Sequence, residues 1–274
     1  MNLLSPNEIK KLFEKYNARP SKGLGQNFLI DESVLDNIVE SSDIKPNDIV
    51  LEVGPGLGVL TKELAKRAKK VIAVEKDKTM CEILKETLQD LNNIEVVCGD
   101  ILTLDAKRYN LNSNYKIIAN IPYYLTSPLI RKFLEADNPP QEMILMLQKE
   151  VAQRICASPP KMSLLAVSVQ FYADAKIISY VSKNCFWPAP KIDSAIIKIS
   201  RIHTNQEQID TNLFFKIVKA GFLHPRKQLA SNLSKGLEIS KEKILEWLNK
   251  NKINPKQRAE TLSVEDWRKL CITI

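Results

Sequence analysis

Asp48-Ile49-Val50-Leu51-Glu52-Val53-Gly54-Pro55-Gly56-Leu57-Gly58 runs from an apolar stretch of strand length straight into a glycine-rich turn. Leu57 to Ala68 then carries apolar residues at helical spacing, so the segment reads as strand, tight turn, helix. Glycine lacks a Cβ, which permits the sharp turn and lets a ligand approach the backbone closely. The same alternation continues downstream. Lys70–Glu75 reads as a strand, Lys78–Leu88 as a helix, and Ile94–Cys98 and Tyr115–Asn120 as strands. Ser127–Glu135 follows as a helix and Glu142–Leu147 as a strand. Continuous apolar strands between helices indicate a parallel sheet covered on both faces. The expectation is a doubly wound α/β fold whose ligands lie at the carboxyl ends of its strands.

Outward from this core, Ser5-Pro6 starts a helix that ends near Tyr16, with proline at the first helical position. A basic, glycine-containing segment from Arg19 to Asn27 leads to a second helix, Glu32–Ser42. On the other side, helices are expected over Gln148–Ala157 and Lys161–Tyr172. Lys176–Val181 and Ser194–Ser200 are β-like runs separated by a proline-rich loop. The polar stretch Thr204 to Asp210 is the best boundary, dividing the chain into domains 1–203 and 204–274, the second of them helical.

Composition narrows the function classes. No run of about 18 apolar residues occurs, so no membrane span is expected. The N-terminus is interrupted by Pro6, Asn7 and Glu8 and lacks the apolar stretch of a secretory signal; a cytoplasmic location is the expectation. The five cysteines are scattered, with no C-x-x-C pair, so neither a disulfide framework nor a zinc site is expected. With two histidines, His203 and His224, both far from the motifs, no metal site is expected. The 40 basic and 32 acidic residues leave a net charge of +8, which suits a nucleic-acid partner but does not by itself establish one.

Two carboxylates sharpen the glycine turn. Glu75 ends the second strand, 21 positions after Gly54, where it could accept hydrogen bonds from both hydroxyls of a ribose. Asp100 ends the third strand, in Val97-Cys98-Gly99-Asp100, and could accept from the exocyclic amine of an adenine. The glycines alone leave open which nucleoside cofactor binds. A nicotinamide dinucleotide needs donors and space for a pyrophosphate. Here the acidic Glu52 precedes the glycines and a second carboxylate sits at the third strand. That favours S-adenosylmethionine, which has ribose, adenine and a cationic sulfonium but no phosphate.

Asn120-Ile121-Pro122-Tyr123 follows the fourth strand. The exocyclic nitrogen of adenine is a poor nucleophile, because its lone pair is delocalised into the ring. The Asn120 carboxamide oxygen and the Ile121 carbonyl could accept its two N–H groups and favour a more tetrahedral nitrogen. Pro122 fixes the turn, and Tyr123 offers a ring for the base to stack on. No strong base is required, since the proton can leave after methyl transfer, and alignment of nitrogen, methyl and sulfur is the main contribution.

With these motifs in order, the chain resembles the ribosomal RNA adenine dimethyltransferase family, in particular its small-subunit branch. The likeness spans nearly the whole length. It includes Gly23-Leu24-Gly25-Gln26-Asn27-Phe28-Leu29, the glycine turn, Glu75, Asp100, Asn120–Tyr123, Gln148–Arg154 and Phe186-Trp187-Pro188-Ala189-Pro190-Lys191-Ile192-Asp193-Ser194. The resemblance implies a Rossmann-like class I methyltransferase sheet with a small all-helical C-terminal domain. It implies cofactor contacts at Asn27, Leu29, Gly54, Glu75, Asp100 and Asn120. It also implies a catalytic set of Asn120, Ile121, Pro122, Tyr123 and Phe186, with Phe186 stacking on the face of the adenine opposite Tyr123. Dimethylation of two adjacent adenines in small-subunit rRNA follows, within an assembling subunit and by a monomer.

The chain departs from the family at Ser158-Pro159-Pro160-Lys161-Met162-Ser163, where a longer loop is usual. The same core resembles large-subunit rRNA methylases. Gly221–Leu229, Asn232-Leu233 and Arg258–Ser263 resemble the small-subunit branch instead. Lys216, Lys219, Arg226, Lys227, Lys256 and Arg258 would form its basic, RNA-gripping module. A non-catalytic assembly or transcription factor retaining the fold stays open as a different class.

Overall fold

A computed structural model describes residues 1–21, 23–105, 109, 111, 114–202 and 209–274. The expected domain boundary at 203/204 lies outside the described residues. By its internal contacts the chain forms two compact units, Met1–Ala152 with Lys176–Ile202, and Gln153–Ala175 with His203–Ile274. The second unit therefore takes in a stretch from the middle of the chain.

In the first unit, α1 (Pro6–Lys15) starts at an extended Ser5 with Pro6 at its first position and buries Ile9, Leu12 and Phe13. A two-residue strand, β1 (Phe28–Leu29), precedes α2 (Glu32–Ser41), whose cap Asp31 accepts from the Val34 N–H. Then come β2 (Ile49–Val53), α3 (Val59–Ala65), β3 (Lys70–Glu75), α4 (Lys78–Thr87), β4 (Ile94–Cys98) and β5 (Tyr115–Asn120). A 3₁₀ turn, Tyr123–Leu125, opens into α5 (Thr126–Leu134), followed by β6 (Glu142–Gln148) and α6 (Lys149–Ile155). After α7 (Leu164–Gln170), which belongs to the second unit, come β7 (Asp174–Val181), β8 (Phe186–Trp187) and β9 (Ser194–Ser200).

The main sheet has seven strands in the order β4-β3-β2-β5-β6-β9-β7. Pairings β2–β3, β3–β4, β2–β5 and β5–β6 are parallel, whereas β9 runs antiparallel to β6. Strand order reverses between β2 and β5. In a doubly wound sheet the crevice lies outside the carboxyl ends at that switch point. The glycine turn follows β2 and Asn120 ends β5, so the topology places both motifs at this crevice.

The cysteine expectation needs correcting. Cys81 on α4 and Cys98 at the end of β4 form a disulfide, with Cα atoms 6.1 Å apart. Helix, turn and strand intervene over 17 residues, a separation that carries no recognisable pair spacing.

The second unit adds α8 (Thr211–Gly221), α9 (Leu229–Leu237), α10 (Lys241–Lys250) and α11 (Val264–Thr273). Its core joins Phe171, Phe214, Ile217, Leu233, Leu248, Trp267 and Leu270. Phe171 stacks on Phe214 with ring centroids 4.1 Å apart, which draws α7 into this core. Buried Asn232 donates to the carbonyls of Gly221 at 2.7 Å and His224 at 3.0 Å, holding the loop that presents Arg226 and Lys227 to solvent. A Cβ on Gly236 would lie 2.6 Å from Ala220 Cβ and 2.7 Å from its Cα. Gly236→Ala should therefore push α8 and α9 apart. We expect a loss of about 1–3 kcal/mol, the usual size of core overpacking, read as a lower melting temperature of the full chain. Among the described residues, no helix is long and apolar enough to cross a membrane.

Candidate active site

The carboxyl ends of β2, β3 and β5, with the residues following β4, frame a cavity of about 1070 Å³, counting its opening to solvent. Its lining includes Asn27, Leu29, Gly54, Glu75, Asp100, Asn120, Ile121, Pro122, Tyr123 and Phe186. Every residue singled out above for cofactor or base thus meets in one place.

Gly54 has φ +66°, and a Cβ there would approach Pro122 Cδ to 3.3 Å. A Cβ on Gly56, at φ +58°, would sit 3.2 Å from Phe28 Cε1. The turn is thus both left-handed and closely packed, which accounts for its glycines. Glu75 is 7% exposed and holds this turn. Its Oε2 accepts from the Gly56 N–H at 3.2 Å and its Oε1 from the Asp77 N–H at 2.9 Å. Burial pushes the Glu75 carboxyl above its ordinary range, while these backbone donors pull it back.

Asp100 accepts from Lys76 Nζ at 2.8 Å and from the Leu102 N–H at 2.9 Å. The Lys76 bond, chiefly, holds its carboxyl below the usual range. A carboxylate offers about four acceptor positions, so room remains for a ligand amine. Lys76 itself lines the cavity. Sequence reasoning passed over it, although it directly follows Glu75.

At the turn after β5, Asn120 is the last residue of the strand, and the Ile121 N–H donates to the Met146 carbonyl at 3.2 Å. Ile121 is buried. Pro122 accepts from the Leu125 N–H at 2.9 Å as the chain enters the 3₁₀ turn. Tyr123 is tethered through its hydroxyl to the Ser194 hydroxyl on β9 at 2.9 Å. Burial pushes its phenol up, so the ring stays neutral.

The opposite wall is one that no periodicity announces. β1 pairs antiparallel with β8, Phe28 opposite Trp187 and Leu29 opposite Phe186. Phe186 is 3% exposed and packs in an apolar cluster with Leu29, Met146 and Val181. It is a core anchor and a cavity wall together. The N-terminal motif is further pinned by Gln26. Its Nε2 donates to Asp77 Oδ2 at 2.8 Å, and its Oε1 accepts from the Ser21 N–H at 2.7 Å. Asp77 also caps α4 through the Thr79 and Met80 N–H groups, so one carboxylate joins motif and helix. Asn27 donates to the Gly25 carbonyl at 3.0 Å, bracing the same loop.

Residues 17–274 match the family described as Ribosomal RNA adenine dimethylase. A protein of Dehalococcoides mccartyi named Ribosomal RNA small subunit methyltransferase A is 46% identical over 267 residues, covering 97% of this chain and 92% of its own. One of the same name from Clostridioides difficile is 42% identical over 272 residues, covering 97% and 94%. Among solved structures, a dimethyladenosine transferase from Plasmodium falciparum superposes with a TM-score of 0.74 at 28% identity, covering 88% of this chain and 95% of that one. The 23S rRNA methyltransferase ErmE superposes with a TM-score of 0.71 at 26% identity, covering 89% and 98%. The sheet and its switch point are those of the Rossmann-like class I methyltransferases. The chain belongs to the ribosomal RNA adenine dimethylase family.

Proposed function

We propose that this chain is an enzyme that moves methyl groups from S-adenosylmethionine to N6 of two adjacent adenines in a loop of small-subunit ribosomal RNA, giving dimethyladenosines. The observation that carries this reading is the meeting of Asn120 with Gly54, Glu75 and Asp100 around one cavity. The small-subunit choice is supported by relatives of that name at 40–46% identity, against 26% for ErmE. Family membership implies a methyl donor. The residues suit this one: a glycine cradle preceded by the acidic Glu52, an acceptor for ribose at Glu75, and one for the adenine amine at Asp100.

When bound, the cofactor supplies an electrophilic methyl on a sulfonium. The protein's own share is positioning. Asn27 and Leu29, on the β1–β8 side, form the wall over the methionine end. Glu75 fixes the ribose and Asp100 the adenine. Asn120 Oδ1 and the Ile121 carbonyl accept from the two N–H groups of the target amine, orienting its lone pair. Tyr123, braced by Ser194, stacks on one face of the extruded base, and Phe186 faces it from the other side. Stacking is worth ~1–3 kcal/mol per base and offsets the cost of flipping it out.

The helical unit grips RNA. Arg226 and Lys227 are exposed beside the Asn232-braced loop, and phosphate contacts there orient the substrate without reading sequence. Reversing both charges (Arg226→Glu with Lys227→Glu) should weaken RNA binding about tenfold and flatten its salt dependence. S-adenosylmethionine affinity should stay unchanged in the same preparation; equal loss of both affinities would sink the assignment. We further infer that the enzyme works in the cytoplasm as a monomer on an assembling small subunit. Radiolabelled cofactor offered separately with unmethylated small subunits, large subunits and DNA tests the whole reading. Label is expected as dimethyladenine in small-subunit RNA alone, and label confined to the large subunit would overturn it.

A further inference from the structure

The cavity carries an aromatic ring that the chemistry described so far leaves unused. Tyr124 is among its lining residues, yet it is 48% exposed. Among the described residues its ring stacks on no other ring and its hydroxyl takes part in no hydrogen bond. The local backbone decides where it points. Tyr123–Leu125 is a 3₁₀ turn, and at three residues per turn successive side chains diverge by about 120°. Tyr123 turns towards β9, where its hydroxyl meets that of Ser194 at 2.9 Å, and Leu125 is buried. The direction left to Tyr124 is outward, at the opening of the cavity. Lys76, which holds Asp100 in the same cavity, lies within electrostatic range of it. The turn beneath the ring is fixed: the Leu125 N–H donates to the Pro122 carbonyl at 2.9 Å, and the Thr126 hydroxyl to the Tyr123 carbonyl at 3.1 Å. An exposed tyrosine standing alone needs no explanation. This one follows directly in the chain the ring assigned to the target base, and a tyrosine offers a large contact face at little cost in conformational entropy.

We propose that Tyr124 is a second stacking platform, which holds the base of the nucleotide joined to the extruded adenine. The inference rests on the RNA-adenine reading above and extends it by one nucleotide. Consecutive Cα atoms are about 3.8 Å apart, so a base lying on Tyr123 brings the nucleotide one phosphodiester away to the Tyr124 ring. Extruding a base from a strand costs stacking energy, and its neighbour loses a partner on that side. An aromatic face at the opening of the cavity replaces that partner. It does so whatever the neighbouring base is, because every base has a π face. The ring carries this role and the hydroxyl does not. Tyr124 therefore acts on RNA affinity and on the seating of the target, and leaves the cofactor alone.

The full chain is compared with Tyr124→Phe, Tyr124→Leu and Tyr124→Ala, using small-subunit RNA that carries fluorescent 2-aminopurine directly 5′ or directly 3′ of the target adenine. A stacked 2-aminopurine is dim and an unstacked one bright. On one of the two sides the label should stay dim in complexes with the unaltered protein and Tyr124→Phe, and brighten with Tyr124→Leu and Tyr124→Ala. In the leucine and alanine variants RNA affinity should fall about tenfold, the size of one base–aromatic contact. KM for unmethylated small subunits should rise to match, with kcat and S-adenosylmethionine affinity unchanged. Phenylalanine should behave as the parent. Equal brightness in all four complexes on both sides overturns the inference and leaves the methyl-transfer reading standing. So does a loss of S-adenosylmethionine affinity in Tyr124→Ala with RNA affinity intact, which would make the ring part of the cofactor wall. An unaltered protein that neither binds nor methylates small-subunit RNA overturns both. Should the alanine variant fail to fold, the contrast between phenylalanine and leucine decides, since both are apolar and only one has a π face.

Discussion

Asn120→Ala is expected to cut methyl transfer by about 10²–10³-fold, the usual consequence of removing one preorganised polar group from a reacting centre. Cofactor affinity should fall far less, by no more than about tenfold. The asymmetry follows from position. Asn120 ends β5 on the cavity wall, opposite the strand-order reversal from the glycine turn. Glu75, at the end of β3, and Asp100, in the turn after β4, carry the expected ribose and adenine contacts and are untouched by the change. What the alanine lacks is the acceptor that orients the amine lone pair towards the methyl, an interaction that matters most as the nitrogen becomes tetrahedral. Single-turnover kinetics with saturating cofactor isolates that step. A variant that keeps its rate but loses S-adenosylmethionine binding would make Asn120 a cofactor ligand alone. A variant that keeps both would remove the catalytic turn from the mechanism, and would return a non-catalytic RNA-binding factor to consideration.

The parts legible in the sequence are those carried by local pattern. Strands Lys70–Glu75, Ile94–Cys98, Tyr115–Asn120 and Ser194–Ser200 have the bounds that their apolar runs suggest. The glycine turn and Asn120–Tyr123 are readable because each follows such a run directly. Helix ends are less so. The helix expected over Leu57–Ala68 shrinks to Val59–Ala65, because Gly58 takes a left-handed φ of +88° and serves as the cap. The helix expected from Lys161 starts only at Leu164, where the Ser163 side chain accepts from the Ala166 N–H.

Long-range pairing left no trace in the sequence pattern. Two-residue strands at Phe28–Leu29 and Phe186–Trp187 have no periodicity to read, yet their pairing sets Phe186 against Leu29. The Gln26–Asp77 hydrogen bond spans 51 residues. That buried Glu52 leaves its Oε2 without a hydrogen bond depends on what surrounds it in space. From the residues alone, its charge could be noted but not the unpaired oxygen.

Glu75→Gln should weaken S-adenosylmethionine binding by about 10- to 100-fold, because the carboxylate is asked to serve too many donors for an amide to replace it. In the structure its two oxygens already accept from the Gly56 and Asp77 N–H groups. The ribose hydroxyls would occupy the remaining lone pairs. A glutamine has one carbonyl oxygen and an NH₂ that can only donate. Whichever way it turns, its NH₂ faces either a backbone N–H or a donor of the ligand. Each charge-assisted hydrogen bond lost is worth about 1.5–3 kcal/mol, which gives the stated range for a single loss. The pH dependence separates this from a merely structural effect. Burial raises the Glu75 pKa, so in the unaltered protein its contribution to binding grows as pH rises through that value and fades below it. Glutamine does not titrate, and the variant should lose this part of the slope. Titrations of cofactor from pH 5 to 8 on both proteins check it. An unchanged affinity, or a variant with the full slope of the parent, would show that Glu75 braces the glycine turn without touching the ligand.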